Sequence, residues 1–121
     1  MGLERVARRL RGVPMSAGGW IGVDFDGTLS QYHGWHGKGR YGPPVPAMLA
    51  RVQQWLVDGL TVKIMTARAV DEAQHVQAWL EKHGLPALEV TDRKDYGMRE
   101  LWDDRAVQVI PNTGERADGK P

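Results

Sequence analysis

Asp24 and Asp26 stand two residues apart at the end of a short apolar run, Trp20-Ile21-Gly22-Val23, and are followed by Gly27 and Thr28. Side chains at i and i+2 of an extended segment point the same way. Both carboxylates can therefore approach one centre while Phe25 turns toward the core. Two acids this close repel unless a cation or a shared proton relieves them. A pair just past a strand end suggests a metal-assisted site acting on a phosphate.

Three later features occupy the same kind of position. Leu60 to Met65 is apolar and runs into Thr66-Ala67-Arg68, Ala87 to Val90 is followed by Lys94, and Leu101-Trp102 runs into Asp103-Asp104. Each polar group lies at or beyond the C-terminal end of an expected strand. In an open parallel sheet those ends converge on one crevice, where ligands bind. Four carboxylates, a hydroxyl and an ammonium gathered there would suit a Mg2+-dependent reaction on a phosphate.

In order, Asp24-Phe25-Asp26-Gly27-Thr28-Leu29, Thr66, Lys94 and Asp103-Asp104 resemble the four motifs of the haloacid dehalogenase (HAD) superfamily. The resemblance spans roughly residues 20 to 110. It implies an aspartyl-phosphate mechanism, with Asp24 as nucleophile and Asp26 as general acid and then base. Dehalogenases of the family lack the second acid, so Asp26 favours phosphate chemistry. Gly27 is expected to let the backbone turn beneath the phosphate, with Gly27 and Thr28 beside the substrate. Thr66 would donate its hydroxyl to the phosphoryl group, and Lys94 would neutralise Asp24 and the phosphoryl oxygens. Mg2+ would be held by Asp24, Asp26 (through its carbonyl), Asp103 and Asp104. Arg68 is read either as a substrate contact or as the partner of an acid.

The elements that must position these groups follow from pattern. Pro46 to Asp58 reads as a helix, with Pro46 in the first turn, Leu49, Val52 and Leu56 at helical spacing and Gly59 as its stop. Asp71 to His83 reads as a second, with Ala73, Val76 and Leu80 as its stripe and Gly84 as its stop. Alternating strands and helices predict an α/β fold, a three-layer Rossmann-like parallel sheet flanked by helices, with right-handed crossovers. Neither interval between the motifs has room for a cap domain, so a capless member is expected. Lys63 fits the interior of the second strand poorly.

Three segments frame that domain. Residues 1–19 form a basic segment in which Arg5, Arg8, Arg9 and Arg11 alternate with Leu3, Val6 and Leu10, and a short amphipathic helix is expected. Residues 30–44 form a Gly-rich loop carrying His33, His36, Lys38 and Arg40, placed to overhang the crevice. His33 and His36 lack the Cys or third ligand that a zinc site needs. Residues 111–121 are expected to be a flexible tail.

The chain has 121 residues, enough for one core, with 41% hydrophobic and 26% charged residues. A net charge of +1 gives no bulk argument for nucleic acid or membrane binding. The absence of cysteine excludes disulfides and thiol chemistry and is compatible with a reducing cytoplasm, the expected location. No apolar run reaches the roughly 18 residues of a membrane span. An EF-hand loop is excluded because Thr28, Leu29 and Trp35 stand where it needs other residues, and no P-loop motif occurs. A phosphoreceiver domain carries its acid pair before the phosphorylated Asp, whereas here a pair lies downstream.

The leading expectation is a Mg2+-dependent phosphomonoester hydrolase. A narrower version, motivated by the open site and the basic N-terminal segment, is a phosphatase acting on nucleic-acid ends. A non-catalytic metal- or partner-binding module is the third. An open crevice suits either a large substrate or a small one closed in by a second subunit of a homo-oligomer.

Overall fold

The computed structural model describes residues 18–68 and 70–121. The expected N-terminal helix lies outside the described residues. The element order is β1 (Trp20–Asp24), α1 (Pro46–Val57), β2 (Thr61–Met65), a 3-10 turn (Val70–Glu72), α2 (Ala73–Lys82), β3 (Val90–Thr91) and β4 (Met98–Trp102). The four strands form one all-parallel sheet in the order β3-β2-β1-β4. The arrangement is the Rossmann-like α/β fold that the alternation of elements predicts, and among the described residues no cap interrupts it.

Alternation along the strands builds the core. Ile21 and Val23 of β1 and Val62 and Ile64 of β2 are buried in one cluster with Val52 and Trp55 of α1 and Val76, Trp79 and Leu80 of α2. Each such side chain contributes about 1.5–3 kcal/mol when fully buried. The helix faces differ slightly from the expected stripes. Met48, Val52 and Trp55 are the buried residues of α1, while Leu49 and Leu56 only flank the cluster. In α2 the buried set is Val76, Trp79 and Leu80. Trp55 and Trp79 are thus buried residues of α1 and α2.

Helix ends follow from local chemistry. Val45 cannot cap α1 with its side chain, and Pro46, which has no N–H to satisfy, opens the helix instead. Gly59 and Gly84 take φ +83° and +84° where the chain leaves each helix. The second helix is shorter than its pattern predicts. Its first turn is 3-10, and the Glu72 side chain, at the N-cap, bonds elsewhere instead of capping.

Two other segments depart from expectation. The third strand is only Val90–Thr91, paired with Ile64 and Met65. Upstream of it the Leu88 amide bonds to the Pro86 carbonyl, and the Leu88 carbonyl accepts from Gln77 Nε2 at 2.9 Å. The tail expected to be loose begins as a hydrogen-bonded turn, with Val109 bridged to Arg116 and the Ile110 amide donating to the Glu115 carbonyl at 2.8 Å. Asn112 and Gly114 supply the left-handed conformations that this turn needs.

Lys63 finds its account on the sheet face away from the helices. Its Nζ lies 4.6 Å from the Trp20 ring centroid and 3.5 Å from Glu89 Oε2. The Trp20 indole in turn donates to Asp95 Oδ1 at 2.8 Å, which holds the Asp95 carboxyl below its usual range. An ammonium over an indole, with its stem against the sheet, satisfies both halves of a lysine.

Candidate active site

The strand order reverses between β1 and β4, and the acids lie there. Asp24 is the last residue of β1, and Asp103-Asp104 directly follow β4. Because β1 and β4 are parallel neighbours, their ends come together although some 80 residues separate them in the chain. Carboxylate oxygens of Asp24, Asp103 and Asp104 all lie within 4.8 Å of one another.

A tight turn, Phe25 to Ser30, holds the first acid in place. The Ser30 amide donates to the Phe25 carbonyl at 2.9 Å and the Gly27 amide to the Ser30 carbonyl at 2.8 Å. Phe25 and Leu29 are fully buried and anchor the turn from beneath. The amides of Gly27, Thr28 and Leu29 all bond within this segment. The Gly27 φ is +86°, and a Cβ there would sit 2.6 Å from Asp104 Oδ2. Glycine is what lets Asp104 approach β1.

Thr28 joins the acids rather than lining the cavity. Its hydroxyl oxygen accepts from the Asp104 amide at 3.0 Å and lies 3.2 Å from both Asp24 Oδ2 and Asp104 Oδ1. With one proton to give, it donates to one of these carboxylates at a time. Asp103 Oδ1 accepts the Arg105 and Ala106 amides at 2.7 and 3.1 Å, which fixes its carboxylate.

Burial, the Asp104 contact and the Asp103 charge push the Asp24 carboxyl up to about 7, against the smaller opposing effect of the Thr28 hydroxyl. The metal and Lys94 are expected to keep Asp24 acidic; in the metal-free protein Lys94 is not among the groups that act on it. Lys94 is exposed, lies past the short β3, and lines neither of the two cavities described here. The donor set of Asp24, Asp103 and Asp104 is all oxygen and carries excess negative charge, which fits a hard divalent cation.

Asp26 takes a different partner. Arg68 Nε and Nη2 donate to its two oxygens, both at 2.7 Å, and the Asp26 carboxylate stands outside the three-acid group. Only its carbonyl remains for the expected metal role. The Arg68 side chain is 8% exposed. Its Nη1 donates to Glu72 Oε1 at 3.2 Å, and its guanidinium carbon lies 4.5 Å from the Tyr41 ring centroid and 5.2 Å from that of Trp35. Glu72, itself 3% exposed, also accepts from Tyr41 Oη at 3.0 Å and from the Gly39 amide at 3.3 Å. Burial, then the Glu72 contact, pushes the Tyr41 hydroxyl up to about 12.

Neither Glu72 nor Tyr41 was singled out by sequence reasoning. A signal for Glu72 existed, since it stands four residues after Arg68 at the start of a helix. Nothing local marked Tyr41, which reaches the site only because the 30–44 loop folds back. Its ring meets Phe25 edge-on at 5.0 Å.

A cavity of about 860 Å³ opens over these groups, lined among others by Asp24, Asp26, Thr66, Arg68, Asp103 and Asp104. Thr66 is buried at the end of β2, and its hydroxyl oxygen accepts the Arg68 amide at 3.2 Å. Its own proton therefore remains available to a ligand. Of the expected site residues, the structure brings together Asp24, Asp26, Thr66, Arg68, Asp103 and Asp104; Gly27 and Thr28 stand behind them.

No family model and no curated protein matches this chain. Among solved structures, a conserved protein from Bacteroides thetaiotaomicron is similar, with a TM-score of 0.59 and 19% sequence identity over 76% of this chain and 80% of that one. At that identity the likeness establishes the α/β fold alone. Among the described residues no helix is long and apolar enough to cross a membrane.

Proposed function

We propose that this chain is a HAD-type, Mg2+-dependent phosphomonoester hydrolase working through an aspartyl-phosphate. The observation that carries the reading is the meeting of Asp24, Asp103 and Asp104 where the strand order reverses, with Asp26 and Thr66 around the same cavity. Mg2+ held by Asp24, Asp103 and Asp104 would supply positive charge to the phosphoryl oxygens and lower the Asp24 pKa.

In the first step a carboxylate oxygen of Asp24 attacks phosphorus while the bond from phosphorus to the leaving oxygen breaks. Asp26 gives that oxygen a proton. In the second step Asp26 takes a proton from water as the water oxygen bonds to phosphorus and the bond from the Asp24 oxygen to phosphorus breaks, releasing phosphate and the Asp24 carboxylate. The Thr66 hydroxyl donates to a phosphoryl oxygen.

Arg68 has the part that the resemblance leaves open. Its fork occupies both oxygens of Asp26, so neither is free to meet a departing oxygen. A phosphoryl group in the cavity offers the guanidinium an equally good bidentate partner. Transfer of the fork to substrate frees Asp26 to carry the proton. The enclosed guanidinium, not Lys94, is the cation in place for this work.

The test is hydrolysis of an aryl phosphate by the native protein and by Asp24→Asn, each with Mg2+ and with a chelator. Turnover that needs both Mg2+ and Asp24 is expected. Turnover that survives Asp24→Asn would sink the mechanism. Metal binding with no turnover of any phosphomonoester would favour the non-catalytic module.

A further inference from the structure

A second cavity, of about 610 Å³, adjoins the first and shares Asp26, Tyr32 and Arg68 with it. The 30–44 loop forms one wall through His33, His36 and Arg40, and α2 forms the other through His75 and Lys82. Its charge is one-sided. Among the described residues Asp26 is the only acid in its lining, and Arg68 neutralises it. Arg40 and Lys82 have no carboxylate partner among the described residues, whereas the neighbouring Lys38 is paired with Asp71. Unpaired cations lining a concave space raise the local concentration of anions.

The position of Asp26 gives this cavity its direction. A general acid must stand on the side of the departing oxygen, within hydrogen-bond reach. Asp26 lines both cavities, with Asp24 and the acid cluster on one side only. The space beyond Asp26 is then the space into which the leaving group extends.

We infer that this second cavity receives the leaving group, and that the leaving group carries an anion of its own. The substrate is a small phosphomonoester with a second phosphate or carboxylate, held by Arg40 and Lys82 while the first phosphate faces Asp24. A space of this size suits a small molecule. The inference rests on the phosphatase reading for its direction but not for its charge, and the two can fail separately.

The test uses Asp24→Asn protein in Mg2+, which is expected to bind substrate without turning it over. Glucose 1,6-bisphosphate, glucose 1-phosphate and glucose 6-phosphate are titrated by calorimetry. The bisphosphate is expected to bind at least about tenfold more tightly than either monophosphate. Arg40→Ala with Lys82→Ala is expected to bring that ratio close to one. Both side chains are exposed, so the fold is preserved, and Lys82→Glu alone serves as a second variant expected to reduce the ratio.

Equal binding of the three sugars, or a preference that survives the double substitution, would overturn the inference. Tighter binding of a terminally phosphorylated oligonucleotide, independent of Arg40 and Lys82, would also overturn it. Turnover of an aryl phosphate and of the bisphosphate by the protein with Asp24 intact is followed separately. Its absence alongside a retained bisphosphate preference would remove the phosphatase reading and leave the dianion-binding cavity standing.

Discussion

A methyl group at Gly27 would meet Asp104 Oδ2 at 2.6 Å, on a backbone whose φ is +86°. The left-handed conformation alone costs an alanine about 1–2 kcal/mol. The contact falls on the end of a carboxylate, which can swing aside, so the further cost appears in the site. Gly27→Ala is expected to lose about 1–2 kcal/mol in urea unfolding and to weaken Mg2+ binding by displacing Asp104. Unchanged Mg2+ affinity would mean that Asp104 takes no part in the cation site. At this scale the two acids of the first motif separate. Asp24 faces other acids and is raised toward neutrality, while Asp26 is neutralised by Arg68. Two residues of spacing set the direction of both carboxylates, but only the folded neighbours give them opposite electrostatics.

The 30–44 loop has no regular structure, yet it is tied at several points. The Gln31 amide donates to the Pro43 carbonyl at 2.8 Å, the Trp79 indole to the Gly42 carbonyl at 3.0 Å, and Glu72 receives both Gly39 and Tyr41. Glu72 is thus the main link between the loop, Arg68 and the start of α2. Removing one partner from a buried charged network costs about 3–5 kcal/mol. Arg68 keeps Asp26, so the lower end applies, and Glu72→Ala is expected to cost about 3 kcal/mol. The same variant should cut faster within residues 30–44 under limited proteolysis. A stable variant with an equally resistant loop would refute the anchoring role. Sequence pattern puts this loop over the crevice because it leaves from β1, and its Tyr32 and Trp35 line the larger cavity. Pattern could not show that one buried glutamate holds it, because Glu72 in sequence is only an acid at the start of a helix.

The whole molecule carries the strain of gathering acids at a strand end. Asp24 rises from the usual carboxylate value of 3.8 to about 7 in the metal-free protein. Between those values the folded chain holds a proton that the unfolded chain has released. Stability therefore falls as pH rises through that window, and the full penalty stands above it. The metal-free melting temperature is expected to drop by at least about 4 °C between about pH 5 and pH 8. Mg2+ should raise it more at the higher pH, where the acids are ionised, by mass action on the folded state. Asp24→Asn should flatten the pH dependence. A metal-free melting curve indifferent to pH, or one unmoved by Mg2+ at the higher pH, would contradict the electrostatics assigned to the cluster.

Local chemistry by itself determined the elements and the polar groups at their ends. Strand alternation, the Pro46 start and the glycine stops are short-range effects, so β1, β2 and α1 were legible, and with them the positions of Asp24, Asp26 and Thr66. A lysine in β2 defied that logic until the sheet brought Trp20 and Glu89 beside it. The tertiary structure decided which groups share a space. Lys94 follows an apolar run as the others do, but β3 is two residues long and Lys94 lies in the exposed segment beyond it. Arg68, undecided in sequence, became the enclosed cation because the turn after β1, the 3-10 turn and the loop enclose it together. The pairing of Asp26 with Arg68, the raised pKa of Asp24 and the second, cationic cavity all depend on distances between segments far apart in the chain. Those distances are set by how the elements pack, which no single stretch of sequence encodes.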